Sequence, residues 1–573
     1  MLINQDIYMN KNWAPYLFIR SNSWLFLVSF FILACGSGGK KPKEKDIVET
    51  PEKFEVRVSD NLKTGLAFIL DNKGRLNDTV RLVADTLVNR LYQQKDFQPL
   101  WCAQENWSAT GDALFSFIER SKEYGLFPSD YHFRALNGIR NQIAVDSMSR
   151  KNAALWSRAD LMLTDAFLLL SRHLKQGHLK YDSVTLRSDT VLGEDFYLGV
   201  FEQLQQSNNI NTTLQQLEPK HAGYDSLKTG LKFFLDSIQA FRRYTYLSYP
   251  VKDSTSFYNA LQRRLFEEDI LVSASQLMDT ASWRQAIRSY QALKGLKTTG
   301  KINENTVNSL NYTDWEKFKR VAITLDRYKL LPDTMPETYI WVNIPSYTLR
   351  VIDAGSIEME TRVIVGQTRT RTPLLTSNVS NFITYPQWTV PYSIIFKEML
   401  PKIQRDVNYL VKENLMVVDK NDSILDPYTV DWSVLSKRYF PYLLKQRQGD
   451  DNSLGVLKFN FANKYSVYLH DTNARWLFSK SNRALSHGCV RVKDFMKLAD
   501  FLVRNDTIRH HPDTLRSWIG RQEKHVVSGF TKVPIFIRYF SCEGKNGKLK
   551  IYEDIYGEDK LLKERYFADK TIQ

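Results

Sequence analysis

The sequence predicts a multidomain α+β protein, with a helical N-terminal part, a small three-helix module and a mainly-β C-terminal part. Two observations carry this prediction. From residue 61 to about 250 the apolar residues recur mostly at helical spacing. From residue 337 onward, stretches such as "TYIWVNIPSYTLRVID" are rich in β-branched and aromatic residues with partial alternation, which is typical of strands. The change of period separates the two parts.

The first 35 residues have the pattern of an export signal. Lys11 and Arg20 precede the apolar run "WLFLVSFFILAC", which ends at Cys35 and is too short for a typical membrane-spanning helix. The run passes directly into "GSGGKKPKEKD" and resembles a bacterial lipoprotein signal, in which Cys35 is the lipidated residue. An uncleaved membrane anchor with the same topology is the alternative. Both interpretations predict a protein of the cell envelope, anchored in a membrane on the periplasmic side.

Residues 36–60 contain many charges and few apolar residues, which predicts a flexible tether. Residues 61–250 follow as a helical domain. This domain contains His173 and His178, whose spacing of five does not place two metal ligands on one face of a helix. We therefore interpret both histidines as structural or surface residues.

A compact three-helix unit is predicted over residues 255–312, where Gly295 and Gly300 break the helical pattern. Its order of "LQRRL", "AIRSYQALKGL" and "TGKINENTVNSL" resembles the small peptidoglycan-binding module of many wall enzymes. A helical spacer without a ligand is the alternative. Residues 313–336 are predicted to form a connecting helix.

The sheet domain is predicted to span residues 337–562, followed by a C-terminal tail over residues 563–573. The segment "KEMLPKIQRDVNYLVKENLMVVD" has helical periodicity, and polar sequence follows it. We therefore predict a helical and loop insertion in the sheet domain at about residues 395–452.

Charge and cysteine content restrict the function. The net charge of +15 would suggest nucleic acid as a ligand for a cytosolic protein, but outside the cytoplasm anionic envelope polymers and lipid headgroups are the expected counterparts. Cys102, Cys489 and Cys542 remain once Cys35 is assigned to the anchor, and three cysteines cannot all pair. A chain of 573 residues needs no disulfide for stability, so an unpaired Cys489 requires a functional explanation.

Cys489 follows the segment "KYSVYLH", which alternates like a strand that ends at His470, and precedes the helical pattern "KDFMKLADFLV". A free thiol is only slightly ionised at neutral pH, so a reactive cysteine needs a base, and His470 meets that need. Gly488 permits close backbone approach, and the amides around Cys489 suit an oxyanion hole. There are two alternatives. One is a zinc site formed by His470, His487 and Cys489, and the other is an inert buried thiol at Cys489.

The motif itself, His470 followed by fifteen residues and then "SHGCVRV", resembles the signature of L,D-transpeptidases with the YkuD catalytic fold. The likeness extends to "TPLLTSNVSNFITYPQWTVPYSI" and "RQGDDNSLGVLKFNFANKYSVYLHDT", which are similar to the larger, YcbB-type members. Those members have a helical scaffold domain and a peptidoglycan-binding module. The resemblance then implies that residues 337–562 are the catalytic domain.

The resemblance also assigns roles to the residues of the motif. It implies that Cys489 is the nucleophile and His470 the general base, with the carbonyl of Asp471 orienting the imidazole. Ser486, His487 and Gly488 fall on the positions that support the oxyanion pocket.

Four positions depart from the family's pattern. Arg491 stands where many members have Asn, and the resemblance implies that it binds a substrate carboxylate. Gly449 and Asp450 replace an expected Pro-Gly, and Tyr385 replaces an expected Asn. The shape of the region around the site is therefore less closely defined than its chemistry.

The implied reaction is transfer between peptidoglycan stem peptides. Cys489 attacks the third residue of a donor tetrapeptide, releases D-Ala and holds the stem as a thioester, which an amine of a second stem resolves into a 3→3 cross-link. The implied partners are stem peptides and glycan strands, and neither a cofactor nor a metal is implied. Carboxypeptidation, D-amino-acid exchange and non-catalytic wall binding are the alternatives.

Overall fold

The computed structural model describes residues 41, 43, 45–180, 192–238, 241–242, 244–506 and 510–570. The predicted signal, including Cys35, lies outside these residues. Among the helices of this described part, none combines the length and the apolar composition that crossing a bilayer requires.

The N-terminal part is helical and is organised around one long helix, Ala153–Lys175, in which nearly every residue is buried. Asn152 caps this helix by accepting a hydrogen bond from the amide of Ala154, and Ser108 caps another in the same way. The elements of this part are α1 (Pro51–Asp71), α2 (Asp85–Gln94), β1 (Cys102–Ala103), β2 (Asn106–Trp107), α3 (Ala109–Arg120), α4 (Phe133–Val145), α5 (Ser147–Arg150), α6 (Ala153–Lys175), α7 (Glu194–Ser207), α8 (Ile210–Gln215) and α9 (Ala222–Ser237).

The predicted tether over residues 36–60 is wrong for its last ten residues. These form the first half of α1, where Phe54 and Val58 are buried in the helical core. Phe54 packs edge-to-face on Trp156 of α6 at a centroid distance of 6.3 Å. The segment contains enough apolar side chains at helical spacing to bury one face, and its charges lie on the other. The prediction from charge content alone therefore made the tether ten residues too long.

Three helices follow, with a small apolar core of their own that includes Leu261, Tyr290 and Leu310. A fourth helix then leads into the C-terminal part. These elements are α10 (Ser254–Glu267), α11 (Thr280–Leu293), α12 (Glu304–Asn311) and α13 (Asp314–Tyr328).

The C-terminal part is mainly β. Its elements are β3 (Thr338–Asn343), β4 (Thr348–Asp353), β5 (Ser356–Gly366), β6 (Leu375–Thr384), β7 (Trp388–Thr389), α14 (Tyr392–Ile394), α15 (Leu400–Ile403), α16 (Asn408–Lys412), β8 (Leu415–Val418), β9 (Ile424–Leu425), β10 (Leu443–Gln446), β11 (Leu457–Phe461), β12 (Leu469–His470), β13 (Ala484–Ser486), β14 (Val490–Val492), α17 (Phe495–Leu502), α18 (Pro512–Gly520), β15 (Val526–Arg538), β16 (Cys542–Lys545), β17 (Lys548–Ile551) and α19 (Glu558–Tyr566).

The main sheet closes on itself. Its strand order is β13-β5-β14-β12-β11-β6-β15-β3-β4, and β4 pairs again with β5. Closure of this kind removes the exposed edges of a sheet. Strands β12 and β14 are parallel neighbours, although most other pairs are antiparallel. The molecule is thus a multidomain α+β protein, with helices first and a mainly-β domain after them.

The insertion, predicted as helices and loop at about residues 395–452, is instead built on a second sheet. This antiparallel sheet has the order β7-β10-β8-β9, so it starts before residue 395, at Trp388. Helices α14 to α16 and a π-helical turn at Ile395–Met399 cover it, and Ile395, Ile403 and Leu444 lie in its core. These strands were not predicted from the sequence, because they are only two to four residues long.

A shared apolar core joins the helical part to the sheet domain. It contains Phe127 from the helical part, Phe318 from α13, Trp341 from β3 and Phe567 after α19. Residues 563–573 were predicted to form a tail, and this is wrong for the residues up to Phe567, because α19 continues to Tyr566 and Phe567 is fully buried. The aromatic ring of Phe567 lies 5.6 Å from that of Phe127.

Ion pairs reinforce the same junction. Asp559 of α19 accepts hydrogen bonds from Arg327 at 2.6 Å and from Arg320 at 3.0 Å, both on α13. The carboxylate is buried, and the charges of both arginines hold its pKa below the usual value although burial opposes them. The C-terminal helix is thereby fixed to the connecting helix.

Candidate active site

The site is built where two short parallel strands meet in the main sheet. In the register of β12 and β14, Leu469 pairs with Val490 and His470 pairs with Arg491. Cys489 immediately precedes β14, and the amide of Val490 donates to the carbonyl of Tyr468 at 3.1 Å. The pairing therefore brings His470 and the Cys489 segment together although nineteen residues separate them in sequence.

Strand β12 is shorter than the alternating pattern predicted. Strand β12 consists of Leu469 and His470, because the chain before them forms a turn in which Ser466 has a φ of 56°. The side chain of Asn463 holds this turn, accepting from the amides of Tyr465 and Val467. The turn also places the carbonyl of Ser466 beside Cys489, whose thiol donates to it at 3.9 Å.

His470 lies in an environment that keeps its imidazole neutral. The residue is buried, with 5% of its surface exposed. Burial, followed by the positive charge of Arg491, lowers the pKa of the His470 imidazole to about 3, while the backbone carbonyls of Asp471 and Leu454 act in the opposite direction. Its Nδ1 atom is buried without a hydrogen bond. A neutral imidazole is the form that accepts a proton.

Cys489 is half-buried, and burial raises the pKa of its thiol. The amide and phenol of Tyr468, followed by the positive charges of Lys458 and Arg491, act in the opposite direction. Cys102 and Cys542 are also free thiols, but both are fully buried, and burial raises the pKa of each. Of the three cysteines in the described part, Cys489 is the accessible one.

Ser486 and Gly488 form the turn that presents Cys489. The Ser486 hydroxyl donates to the carbonyl of Cys489 at 2.6 Å and accepts from the amide of Gly488 at 3.2 Å. Gly488 has a φ of 120°, which favours glycine. The Gly488 amide is engaged in this turn, whereas the amide of Cys489 has no backbone acceptor among the described residues.

A second layer supports this turn from outside the motif. Thr372 donates its hydroxyl to the carbonyl of Gly488 at 2.8 Å and accepts from the amide of Gly366 at 2.8 Å. The phenol of Tyr556 accepts from the amide of Thr372 and donates to the carbonyl of Gly366. Neither Thr372 nor Tyr556 was identified from the sequence, since their roles depend on contacts over more than a hundred positions.

His487 points away from the thiol. Its Nε2 atom lies 2.7 Å from Glu398 of the insertion, and both side chains are largely exposed. The zinc alternative requires His470, His487 and Cys489 to converge, whereas this contact turns His487 toward Glu398 instead. In the described part, the grouping with metal-ligand spacing is Asp130, His173 and His178.

Asp471 has a structural carboxylate. It is fully buried and accepts from Arg475 at 2.6 Å and from the amide of Val456 at 3.1 Å. Gly455 passes so close that a Cβ there would lie 2.3 Å from the carboxylate. The backbone of Asp471 acts to raise the pKa of the His470 imidazole, against the larger effect of burial.

Two departures from the expected motif contact each other. The phenol of Tyr385 donates to Asp450 at 2.6 Å, and Tyr385 itself has a φ of 42°. Tyr385 follows β6 of the main sheet, whereas Asp450 follows β10 of the insertion. The two unusual residues therefore form one connection at the base of the insertion.

A basic side chain, Lys458, and an aromatic side chain, Tyr468, near Cys489 were not predicted from the sequence. Lys458 pairs with His470 across β11 and β12, and its ammonium lies 4.2 Å from the centroid of the Tyr468 ring. The side chain of Tyr468 acts to lower the pKa of the Cys489 thiol, against the larger effect of burial. The sequence does contain a signal for Lys458, because this charged residue stands between the apolar residues Leu457 and Phe459 of a strand.

Comparisons with known proteins identify two regions of the chain. A family model described as "L,D-transpeptidase catalytic domain" matches residues 337–527, and one described as "Scaffold domain" matches residues 86–231. A protein of Haemophilus influenzae named "Putative L,D-transpeptidase" is 35% identical over 245 residues, or 43% of this chain. The match spans 49% of that relative, so the chain aligns with about half its length.

Two solved structures give weaker likenesses. The catalytic domain of the E. faecium L,D-transpeptidase acylated by ertapenem is 12% identical, with 36% of this chain and 99% of that chain covered and a TM-score of 0.17. The L,D-transpeptidase of Xylanimonas cellulosilytica is 13% identical, with 52% and 98% covered and a TM-score of 0.14. These two scores are too low to support an argument about shape. The family models, the curated relative and the position of the motif agree that this chain contains an L,D-transpeptidase catalytic domain of the YkuD family, preceded by a Scaffold domain.

Proposed function

We propose that this protein is a peptidoglycan L,D-transpeptidase that forms 3→3 cross-links through a thioester on Cys489. The observation that carries the proposal is the register of β12 and β14, which brings His470, at the end of a strand, beside the segment of Cys489. A neutral base next to a partly exposed thiol is the arrangement that nucleophilic acyl transfer requires.

In the first step the Cys489 sulfur attacks the carbonyl of the third residue of a donor tetrapeptide. His470 accepts the thiol proton as the sulfur–carbon bond forms. The carbon–nitrogen bond to D-Ala then breaks, and the imidazolium returns the proton to the leaving amine. The products of this step are free D-Ala and a thioester, with His470 neutral again.

The oxyanion of the intermediate is stabilised by the backbone amide of Cys489. This amide has no hydrogen-bond partner among the residues of the described ranges. An amide that is already positioned costs little reorganisation when the charge develops. The turn made by Ser486 and Gly488 holds it in place.

In the second step the side-chain amine of another stem attacks the thioester. His470 removes a proton from the amine and returns it to the sulfur as the carbon–sulfur bond breaks. An amide bond between two third residues results, and Cys489 is free for another cycle. Attack by water gives carboxypeptidation, and attack by a free D-amino acid gives exchange.

The remaining parts of the chain hold the enzyme at its substrate. Helices α10 to α12 bind peptidoglycan and raise the local concentration of stems. The N-terminal segment anchors the protein in a membrane through a lipid on Cys35, so the catalytic domain works in the cell envelope on its periplasmic side. The basic charge of the chain favours anionic envelope polymers over neutral surfaces.

The test uses the protein without residues 1–35 and purified disaccharide-tetrapeptides, with the products resolved by mass. Cross-linked dimers and free D-Ala are expected, and Cys489→Ala is expected to give neither. Tripeptide without dimers would assign carboxypeptidation instead, and no change in the substrate would leave a wall-binding role. Cross-linking that persists in Cys489→Ala would contradict the proposal.

A carbapenem provides an independent readout of the same thiol, since a β-lactam presents a strained carbonyl to the nucleophile. One adduct per chain is expected on the peptide that contains "SHGCVR", and none in Cys489→Ala. An adduct on Cys102 or Cys542 would show that the activated thiol is elsewhere.

A further inference from the structure

Two basic side chains, Lys458 and Arg491, lie on either side of His470 in the main sheet. Strand β11 pairs Lys458 with His470, and strand β14 pairs Arg491 with the same residue. Side chains of directly paired residues project from the same face of a sheet. The three residues therefore form a row across β11, β12 and β14, with the base in the middle.

Neither cation has a carboxylate partner among the residues that the structure describes. Lys458 lies over the ring of Tyr468, and the Nε atom of Arg491 is buried without a hydrogen bond. The carboxylate of Asp471, next to His470 in sequence, is already occupied by Arg475. Burial lowers the pKa of both Lys458 and Arg491, as expected for cations that lack a counterion.

Partly buried cations without a counterion are unusual in a folded protein, because the loss of hydration is not compensated. An anionic ligand provides that compensation when it binds. Arginine and lysine together suit a carboxylate, which accepts hydrogen bonds from several donors at once.

The position of this pair fixes which carboxylate fits. Arg491 lies two positions after Cys489, and the ring under the Lys458 ammonium belongs to Tyr468, whose carbonyl accepts from the amide of Val490, the residue after Cys489. The charges of both cations act to lower the pKa of the Cys489 thiol, against the larger effect of burial. Consecutive residues of a peptide are about 3.8 Å apart, so a carboxylate bound here belongs to the residue that follows the attacked carbonyl. In the proposed donor this is the terminal residue that leaves.

We infer that Lys458 and Arg491 together bind the terminal carboxylate of the donor stem. The inference rests on the proposed transpeptidase function, in which the resemblance already assigns a substrate carboxylate to Arg491, and it adds a second basic residue, Lys458, to that contact. A donor whose chain ends one residue after the scissile bond is accepted. A donor whose last residue is amidated, or is followed by another residue, presents no charge at this position.

The experiment compares two donors, a disaccharide-tetrapeptide with a free terminal carboxylate and the same compound ending in D-alaninamide. The rate of thioester formation on Cys489 is measured by quenched-flow mass spectrometry for each donor. In the wild type the free acid is expected to react at least about tenfold faster. Lys458→Met, which removes the charge and keeps the length, is expected to reduce this preference about tenfold by slowing the acid alone.

Two further variants control for other effects. Lys458→Arg keeps the cation and is expected to retain the preference, which also preserves the test if Lys458→Met does not fold. Lys464→Met removes an exposed lysine that lies 5.3 Å from the Tyr465 ring, a similar cation–ring contact away from the row, and is expected to change nothing.

The outcomes separate this inference from the function on which it rests. Equal slowing of both donors in Lys458→Met would assign Lys458 to activation of the thiol and overturn the inference. An unchanged preference would overturn it as well. Failure of the wild type to react with either donor would instead refute the proposed function.

Discussion

At the scale of single residues, the site combines a neutral base with a neutral thiol. The pKa of His470 is lowered and that of Cys489 is raised, both chiefly by burial. A pair of this kind does not rest as a thiolate and an imidazolium. In the proposed mechanism, proton transfer then takes place during the attack on the carbonyl rather than before it.

The first prediction concerns pH. Because His470 takes up a proton only near pH 3 in the folded chain, the rate of carbapenem acylation is expected to show no acid limb between pH 8 and about pH 4.5. In the unfolded chain the imidazole protonates near pH 6.5, so acidification below that value also reduces stability. A rate that falls by half near pH 6.5 would contradict the neutral-base assignment.

The second prediction separates the two histidines of the motif. His470→Ala is expected to slow acylation of Cys489 by about 10²–10⁴-fold, because the proton acceptor is lost. His487→Ala is expected to have a much smaller effect, since its ring contacts Glu398 instead of the thiol. Both rates are measured by adduct formation at one pH. Equal losses would reopen the assignment of the base.

At the scale of elements, sequence patterns predicted the long helices and the strand-rich domain but not the short strands. Helix α6 has 23 residues with strong apolar periodicity, so its existence was predictable. Strand β12 has two residues, and the turn held by Asn463 replaces the rest of the alternating pattern. Local periodicity carries little information over so few residues, and tertiary contacts decide instead.

The residues of the site divide in the same way, into those that the sequence pattern predicts and those that tertiary contacts decide. The types and spacing of His470 and Cys489 were enough to select them, because nucleophile and base have distinctive chemistry. Thr372, Tyr556 and Lys458 were not selected, because their roles arise from the pairing of distant strands. Only the closed sheet brings these residues to the motif.

The third prediction tests the corrected boundary of α1. Phe54→Ala is expected to lower the free energy of unfolding of the helical part by about 3–5 kcal/mol, because it leaves a cavity beside Trp156. Val56→Ala, in the same helix turn but exposed, is the matched control and is expected to change it by less than about 0.5 kcal/mol. Urea denaturation measures both. Identical urea denaturation curves for wild type and Phe54→Ala would support the original prediction of a tether that extends to residue 60.

At the scale of the whole molecule, the parts of the chain are joined by one apolar core and a buried ion cluster. Phe127, Phe318 and Phe567 come from three different parts and pack together. Asp559 adds the charged contacts between α13 and α19. The helical part and the sheet domain are therefore expected to unfold together.

The fourth prediction tests this coupling. Asp559→Asn is expected to destabilise the protein by about 3–5 kcal/mol, because Arg320 and Arg327 lose the carboxylate that they share. Asp406→Asn removes an exposed pair with Lys412 and is expected to cost less than about 1 kcal/mol. Differential scanning calorimetry of both variants measures the effect. Separate transitions in the wild type would contradict the coupling.

The packing of Phe567 against Phe127 has a consequence for synthesis. Lys570 donates to Asp130, 440 positions earlier, so both ends of this junction meet only after most of the chain has been made. The ribosome must release residues 558–570 before the core around Phe127 can close. A chain that is still being translated exposes these aromatic side chains throughout, and chaperones that bind them are expected to limit association until the core closes.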